Sequence, residues 1–407
     1  MISQDHRDVP PAARPRVAAD VRYRWRMGPE AQGLVLVSAA LLAFGLAVLD
    51  SASAAEAMAT RHGESAFYLL RQLSGAAVGA VAFAVAAKVD AERLHRAAWP
   101  LMGVTIATML LTLVLPNSIA PEVHGSKRFL FATSFQPSEF AKLAVIVWVA
   151  MLIIKKGDTL RRFSKGLVPF LVVIGILNVL AILEPDVSVA MLFTLVMAIL
   201  LYAGGARMAH FVFLGAMAIP VAYARFPRLQ YIVLRIASFM DPSSAPEAVG
   251  YQLKQSLVAV GSGELFGRGF GRGLQQFGFL PFPYSDFIAS NIGEEWGFIG
   301  IAATTVAFAV YGILGFRIAR KARSPFLQLV ALGLTFTTVL TAYLHVGVVI
   351  GLLPTTGLTL PFISYGRSNL VLTMFFTGIL VNIGSTKERV VGSLATDPSV
   401  VAAMSRA

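Results

Sequence analysis

Cysteine is absent from the 407-residue sequence, and charged residues are scarce. Without cysteine the chain has no disulfide, no thiolate metal ligand and no cysteine nucleophile. The six histidines include no pair at metal-ligand spacing. Charged residues make up 14% of the chain, well below the roughly 25% of an average soluble protein. A soluble monomer is therefore excluded.

Apolar residues are abundant, at 56% of the sequence with a mean hydropathy of +0.71. One core cannot bury them all, because cores stop growing beyond about 250–300 residues, so the surrounding solvent is expected to be lipid. The net charge of +12 would suit nucleic acid, but the lysines and arginines lie in short clusters between apolar runs. This pattern is typical of proteins oriented by anionic membrane lipids. We expect contact with membrane lipids and no nucleic acid.

Apolar runs long enough to cross a bilayer predict an all-α polytopic membrane protein with ten transmembrane helices. The predicted spans are Gly33–Val48, Phe67–Val89, Ala98–Leu115, Phe140–Ile154, Leu167–Leu183, Val187–Ala203, Met208–Ala224, Trp296–Ile318, Phe326–Leu353 and Leu370–Gly384. They define a membrane domain over residues 33–384.

Lysine and arginine concentrate in alternate connections between these spans. Because positive residues are retained on the cytoplasmic side, we expect both chain ends to be cytoplasmic. Residues 1–32 are then a basic, largely disordered tail, and residues 385–407 are a second cytoplasmic tail. The long connection between the seventh and eighth helices, residues 225–290, is expected outside the cytoplasm.

Charged residues at membrane depth are costly, so they mark candidate sites. Glu139 and Lys142 lie three residues apart on one face of the fourth span. They form either a self-neutralising pair that lets the helix insert or part of a functional site. Glu184 and Asp186 flank Pro185 in a tight turn. These acids either belong to a simple turn or complete a charge network with Lys142.

The long connection contains six glycines between Gly261 and Gly273. The spacing of these glycines does not match the GxGxxG motif, and no Gly-Lys-Ser/Thr follows them. Both facts argue against a nucleotide site. Glycines at this density instead allow close approach to a bulky ligand. Asp286 stands just before the eighth span, where it is either a helix N-cap or a catalytic carboxylate. Glu294 and Glu295, two helical turns further on, suit a structural or metal-orienting role.

A polar stretch broken by proline and glycine, Gly351–Leu370, separates the last two spans. Such backbone is tolerated at membrane depth only where it lines a cavity or is buried in protein. Its Arg367 is a candidate partner for an anionic head group. His345, in the ninth span, is either a packed, hydrogen-bonded histidine or a proton relay.

Five segments in this order resemble the SEDS family (shape, elongation, division and sporulation), with similarity from about Gly33 to Gly384. They are QPSEFAKLA at Gln136–Ala144, DP-x(7)-GYQLxQS at Asp241–Ser256, LP-x(4)-DFI ending at Ile288, IGEEWG at Ile292–Gly297 and GLTLPFISYG at Gly357–Gly366. The last two are more similar to the cell-division member than to the elongation member. Departures from the family pattern occur at Phe129, Val187–Ser188, Tyr284–Ser285 and Arg367. They affect ligand details and leave the charged positions around Glu139 and Asp286 in place.

The resemblance implies a peptidoglycan glycosyltransferase of the bacterial inner membrane, acting at the division septum on lipid II. It makes Asp286 the catalytic base, and it offers substrate-binding candidates and a structural charge network. The substrate-binding candidates are Lys127, Arg128, Lys142, Lys254, Gln255, Ser256, Ser364 and Arg367, and the network comprises Glu139, Lys142, Asp186, Glu294 and Glu295. Mg²⁺ or Mn²⁺ is the candidate cofactor.

The sequence contains no Ser-x-x-Lys motif, so it lacks the crosslinking chemistry of penicillin-binding proteins. A transpeptidase partner is therefore expected. The resemblance names it as a cognate class B penicillin-binding protein, acting together with other divisome proteins. Three alternatives stay open: an elongation-type polymerase, a lipid II flippase and a noncatalytic divisome scaffold.

Overall fold

The computed structural model describes residues 21–60, 64–122, 126–131, 135–214, 216, 239–240 and 247–391. The chain divides into a membrane domain, Met27–Gly384, and a terminal unit that combines residues 1–26 with 385–407. In the terminal unit, strand β1 (Val21–Met27) pairs with strand β2 (Ser385–Val391). From the sequence, residues 1–32 were expected to be a largely disordered tail and residues 385–407 a second cytoplasmic tail. Pairing between opposite ends of a chain is non-local and leaves no periodic signal in either segment.

Helices make up the described membrane domain. They are α1 (Pro29–Thr60), α2 (Phe67–Lys88), α3 (Arg93–Val114), α4 (Pro137–Lys156), α5 (Val168–Leu183), α6 (Val187–Ala203), α7 (Glu247–Ser262), α8 (Ile288–Lys321), α9 (Pro325–Val349) and α10 (Arg367–Ile383). Two short helical turns, Gly157–Arg161 and Phe163–Leu167, connect α4 to α5.

Seven helices of the described ranges are long and apolar enough to cross a membrane, and α6 and α10 are shorter apolar helices. The chain is therefore a multi-pass helical membrane protein. The predicted seventh span, Met208–Ala224, falls largely outside the described residues, which show helix over 208–214. The total of ten spans stays a prediction.

Helix α1 is longer at both ends than the predicted span Gly33–Val48. It begins at Pro29, and proline suits a first helical turn because its missing N–H needs no partner there. It continues to Thr60 through an alanine-rich stretch, where helix propensity persists although hydropathy falls.

Helix α4 occupies the centre of the membrane domain, in contact with α3, α6 and α9. Every residue from Ala141 to Ile153 is buried. A helix that is apolar on all sides is expected to be enclosed by other helices. The Glu139–Lys142 turn at its beginning is consequently held inside the protein.

Helix α8 is interrupted at Gly297, whose φ of 67° and ψ of −162° are not helical. The carbonyls of Glu294 and Glu295 accept hydrogen bonds from the amides of Arg268 and Gly269. Beyond the break, the amides of Phe298 and Ile299 donate to the carbonyls of Glu264 and Leu265. The glycine-rich loop, residues 263–273, thus satisfies the backbone groups that the break releases, as buried backbone requires.

Candidate functional site

Asp286 lies half-buried in the turn that precedes α8. The N-cap position of α8 is the next residue, Phe287, so Asp286 stands one residue before the cap. Two hydrogen bonds from the segment before α10 hold this turn. The Ser364 hydroxyl donates to the Ser285 carbonyl at 2.7 Å, and the Tyr365 amide donates to the Tyr284 carbonyl at 2.9 Å. The backbone of the two residues before Asp286 is therefore held in place.

Residues 351–366 connect Asp286 to other helices. A Cβ on Gly357, whose φ is +70°, would lie 3.8 Å from Asp286 Oδ2, so this turn passes directly beside the carboxylate. The Thr356 carbonyl accepts a hydrogen bond from the Ser188 hydroxyl at 2.5 Å, and the Leu358 carbonyl lies 2.7 Å from Nδ1 of buried His345. This segment, which has no regular secondary structure, is held by polar contacts with α6 and α9.

Gln72, on α2, is a site residue that sequence reasoning missed. Its buried side chain donates to the Ser364 carbonyl at 3.0 Å and accepts from the Gly366 amide at 3.1 Å. One amide side chain thus holds both sides of the turn that anchors Asp286. The available signal was an uncharged polar group inside an apolar span, a feature that marks hydrogen bonding between membrane helices.

Glu139 and Lys142 form an ion pair at the beginning of α4. Lys142 Nζ lies 2.7 Å from one Glu139 carboxylate oxygen and 2.8 Å from the other, and both residues are 6% exposed. The amide of Gln136, just before this helix, donates to the Ser368 hydroxyl of α10 at 3.2 Å. The pair therefore lies in a helix end that is connected to the start of α10.

Arg128 binds the turn formed by Glu184, Pro185 and Asp186. Its guanidinium donates to the Glu184 carbonyl at 3.1 Å and the Pro185 carbonyl at 2.7 Å, and it lies 3.6 Å from Asp186 Oδ2. The other Asp186 oxygen caps α6 by accepting from the Val189 amide at 3.2 Å. The direct partner of Asp186 is thus Arg128, with Glu139 and Lys142 close enough to act on it electrostatically.

Burial dominates the electrostatics of this turn. It raises the pKa of Glu184 to about 7, although the Thr112 hydroxyl donates a hydrogen bond to its carboxylate. Burial also raises the pKa of Asp186, against the opposing effect of Arg128. Two carboxyl groups near the ends of α5 and α6 therefore resist ionisation more than an exposed acid would.

The remaining predicted substrate-binding residues lie in varied surroundings. Half-buried Lys127 has its Nζ 3.5 Å from the Leu115 carbonyl. Half-buried Arg367 begins α10, where a Cβ on Gly75 of α2 would lie 3.1 Å from its Cγ. On α7, Lys254 is exposed and Gln255 is half-buried.

Ser256, predicted as a substrate-binding residue, has its hydroxyl bonded to other helices of the protein. Its hydroxyl is fully buried, lies 2.7 Å from the Ser290 hydroxyl and donates to the Val349 carbonyl at 2.8 Å. These bonds attach α7 to α8 and α9. Ser364 is likewise buried and occupied by backbone partners, since it accepts from the Leu360 amide at 2.8 Å in addition to its bond to Ser285. Its hydrogen bond to Ser285 holds the turn that contains Asp286.

The five residues predicted as one charge network are divided between two places. Glu294 is buried and accepts from the amides of Leu274 and Gln275 at 2.8 and 3.1 Å. Glu295 accepts from the Ser51 hydroxyl at 2.5 Å. Glu294 thus holds the loop before α8 and Glu295 joins α8 to α1, whereas Glu139, Lys142 and Asp186 lie at the beginnings of α4 and α6.

Protein ligands for a metal are sparse. In the described ranges, no three His, Cys, Asp or Glu side chains are grouped to hold a metal ion. Mg²⁺ is commonly bound by one or two carboxylates plus substrate phosphates. A Mg²⁺ or Mn²⁺ ion here would therefore need substrate oxygens in addition to a carboxylate such as Asp286.

Named relatives align with most of this chain. A probable peptidoglycan glycosyltransferase FtsW from Trichlorobacter lovleyi is 38% identical over 354 residues, which cover 86% of this chain and 92% of that protein. Stage V sporulation protein E of Bacillus subtilis is 36% identical over 352 residues, covering 86% of this chain and 95% of that protein.

Solved structures share the fold. A chain from a peptidoglycan synthase complex, described as coordinating polymerization and crosslinking, matches with a TM-score of 0.73 at 25% identity, covering 87% of this chain and 97% of that one. The rod shape determining protein RodA of Thermus thermophilus matches with a TM-score of 0.63 at 22% identity, covering 91% of this chain and 97% of that one. The sequence model of the FtsW/RodA/SpoVE family, described as cell cycle protein, matches residues 32–389. The resemblance to SEDS proteins is thereby confirmed, and the chain belongs to the FtsW/RodA/SpoVE family.

Proposed function

We propose that this chain is a peptidoglycan glycosyltransferase that polymerises lipid II into glycan strands during septal cell-wall synthesis. Its family and the function named for its FtsW relatives support the proposal. The observation in this chain that carries it is the double anchoring of the Asp286 turn, by Ser364 to Ser285 and by Tyr365 to Tyr284. A general base needs such a fixed position relative to the proton it removes.

In the proposed reaction Asp286 takes the proton from the 4-hydroxyl of the acceptor sugar. The hydroxyl oxygen attacks the anomeric carbon of the growing chain, and the bond from that carbon to the pyrophosphate oxygen breaks. The configuration inverts and undecaprenyl pyrophosphate leaves with the bonding electron pair. A positioned base typically contributes about 10²–10⁴-fold to such a rate.

Cations are needed where the leaving pyrophosphate gains negative charge. We assign this role to Arg128, Lys142 and Arg367. Arg128 is held by two backbone carbonyls, so its guanidinium is oriented before substrate arrives. Lys142 is balanced by Glu139 in the free protein, which lowers the cost of keeping it buried. We assign to Lys127, Lys254 and Gln255 the binding of more exposed parts of the lipid II head group.

The membrane arrangement is part of the proposal. It comprises ten spans, both ends in the cytoplasm and the site on the outer face of the bacterial inner membrane, where lipid II disaccharides are exposed. A cognate class B penicillin-binding protein supplies the crosslinking activity and other divisome proteins supply the septal location. The similarity to a chain of a peptidoglycan synthase complex supports a partner of this kind.

The test is polymerisation of labelled lipid II by the purified chain in detergent, with and without its partner. Wild type should produce glycan polymer, and Asp286→Asn should produce almost none while remaining folded and bound to the partner. Glu264→Gln, which changes an exposed carboxylate in the same connection between α7 and α8, is the matched control and should polymerise normally.

Two results would contradict the proposal. Polymerisation by Asp286→Asn within a few-fold of wild type would exclude Asp286 as the base. Complete lack of polymer from wild type with its partner would favour a flippase or a scaffold, and transport of lipid II in vesicles would then distinguish these two.

A further inference from the structure

Four phenylalanines on the connection between α7 and α8 are unusually exposed. Phe266, Phe270, Phe277 and Phe279 have between 53% and 76% of their surface accessible. Large apolar side chains concentrated in one segment mark a contact with a membrane or another protein. We call these four residues the loop phenylalanines.

The depth of this segment follows from α8. Arg317, Arg320 and Lys321 mark the end of α8 at one membrane boundary, because charged residues are excluded from hydrocarbon. A hydrocarbon core of about 30 Å corresponds to about 20 helical residues at 1.5 Å each. Counting back from Arg317 reaches Gly297, the residue at which α8 is interrupted. The break therefore lies at the opposite boundary of the hydrocarbon.

The glycine-rich loop is fixed at the same depth. Backbone hydrogen bonds join Arg268 and Gly269 to Glu294 and Glu295, and others join Phe298 and Ile299 to the loop. A Cβ on Gly267 would collide with the α8 backbone at Glu295 and Trp296, so the loop lies directly against the helix. The following residues are attached to α8 as well, because the amides of Leu274 and Gln275 donate to the Glu294 carboxylate and the Phe277 amide donates to the Leu274 carbonyl. Side chains that residues 263–279 expose are consequently at the boundary between hydrocarbon and head groups.

The order of residues in the loop fits that boundary. Phe266 and Phe270 alternate with Arg268 and Arg272, and all four are exposed. Interfacial segments place aromatic rings in the acyl region while long cationic side chains reach lipid phosphates. Trp296, 40% exposed and 6.3 Å from Phe270 between ring centroids, is a residue type enriched at this level of membranes.

We propose that the loop phenylalanines insert into the phospholipid leaflet on this side of the membrane, with Arg268 and Arg272 at the phosphates. The loop then fixes the depth of the α8 break by contact with lipid as well as by its hydrogen bonds. In the proposed topology this is the outer leaflet. The inference does not depend on the proposed transferase activity and applies to the protein without substrate.

The experiment uses the absence of cysteine, because any introduced cysteine carries the only spin label. The full chain with Phe266→Cys or Phe277→Cys is reconstituted in phosphatidylethanolamine and phosphatidylglycerol vesicles without lipid II. Collision rates of the nitroxide with oxygen, which concentrates in hydrocarbon, and with a water-soluble nickel chelate are then compared. Leu36→Cys on lipid-facing α1 and Glu122→Cys in an exposed connection provide the two references.

We expect the ratio of oxygen to nickel collisions at both loop positions to exceed that at Glu122→Cys by about threefold or more, as for a site at the edge of the hydrocarbon. The ratio should approach that at Leu36→Cys. A ratio equal to that at Glu122→Cys would place the loop in water and overturn the proposal. Low collision rates with both reagents would show that protein, in this chain or a second copy, covers the phenylalanines, and would overturn it equally.

Discussion

Replacing Lys142 by methionine tests the buried ion pair of α4 most directly. Its Nζ lies 2.7 Å from Glu139, and both side chains are enclosed. Two unit charges at that distance attract by about 6 kcal/mol at an effective dielectric constant of about 20. Removing one partner leaves the other charge buried without compensation, which typically costs about 3–5 kcal/mol.

The Lys142→Met variant should therefore unfold in detergent at a clearly lower temperature than wild type. The double variant Glu139→Gln with Lys142→Met removes both charges together, so it should recover much of the lost stability. The assay is thermal unfolding followed by circular dichroism on matched preparations. Polymerisation should stay low in both variants, because both lack the Lys142 cation.

The difference in thermal stability between the single and double variants tests whether Lys142 compensates the Glu139 charge. If both lose the same stability, the Glu139 charge is not compensated by Lys142, and the pair is not the source of the stability. If the double variant also regains polymerisation, Lys142 acts through the stability of α4 rather than on the substrate. A Lys142→Arg variant is the control for charge, since it keeps the cation but changes its geometry.

Three further predictions follow from particular contacts. Gln72→Leu should cost about 2 kcal/mol, because it removes two hydrogen bonds of about 1 kcal/mol each, and should lower the polymerisation rate at saturating substrate as the Ser364–Gly366 turn loosens. Glu184→Gln should change the pH dependence of stability. Because the folded pKa of Glu184 is raised to about 7, wild type binds an extra proton when folded and loses stability as pH rises from about 4.5 to 7. The glutamine variant should lack that loss, so its melting temperature should exceed that of wild type at pH 8 and match it at pH 4. Gly297→Ala should lower the melting temperature by several degrees, since its φ is +67° and its Cβ would collide with the glycine-rich loop; an unchanged value would contradict the break in α8.

The sequence was sufficient to predict features that depend on local pattern. Hydropathy located most spans because each helix must be apolar over the thickness of the bilayer. The spacing of Glu139 and Lys142 placed them on one helix face, and the ion pair is present. Both predictions use only distances along one helix.

Features that depend on contacts between distant segments were not predictable in the same way. Gln72 contacts residues almost 300 positions away, and nothing in its own span identifies that partner. Hydropathy placed the eighth span only from Trp296, because the first turns of α8 are polar. The start of α8 near Ile288 was expected only from Asp286 as a candidate helix N-cap. The burial of the Ser256 hydroxyl between three helices could not be predicted either, because its partners Ser290 and Val349 are distant in sequence.

The interruption of α8 explains how Asp286 is held from both sides. The part of α8 that follows Asp286, Ile288–Trp296, is separated from the long membrane-spanning part by Gly297 and would be free to pivot there. The glycine-rich loop prevents this, because it binds the backbone on both sides of the break. Ser364 and Tyr365 hold the residues before Asp286. The carboxylate is thus located between two anchors that use different parts of the chain, and loosening either one should move it without unfolding the membrane domain.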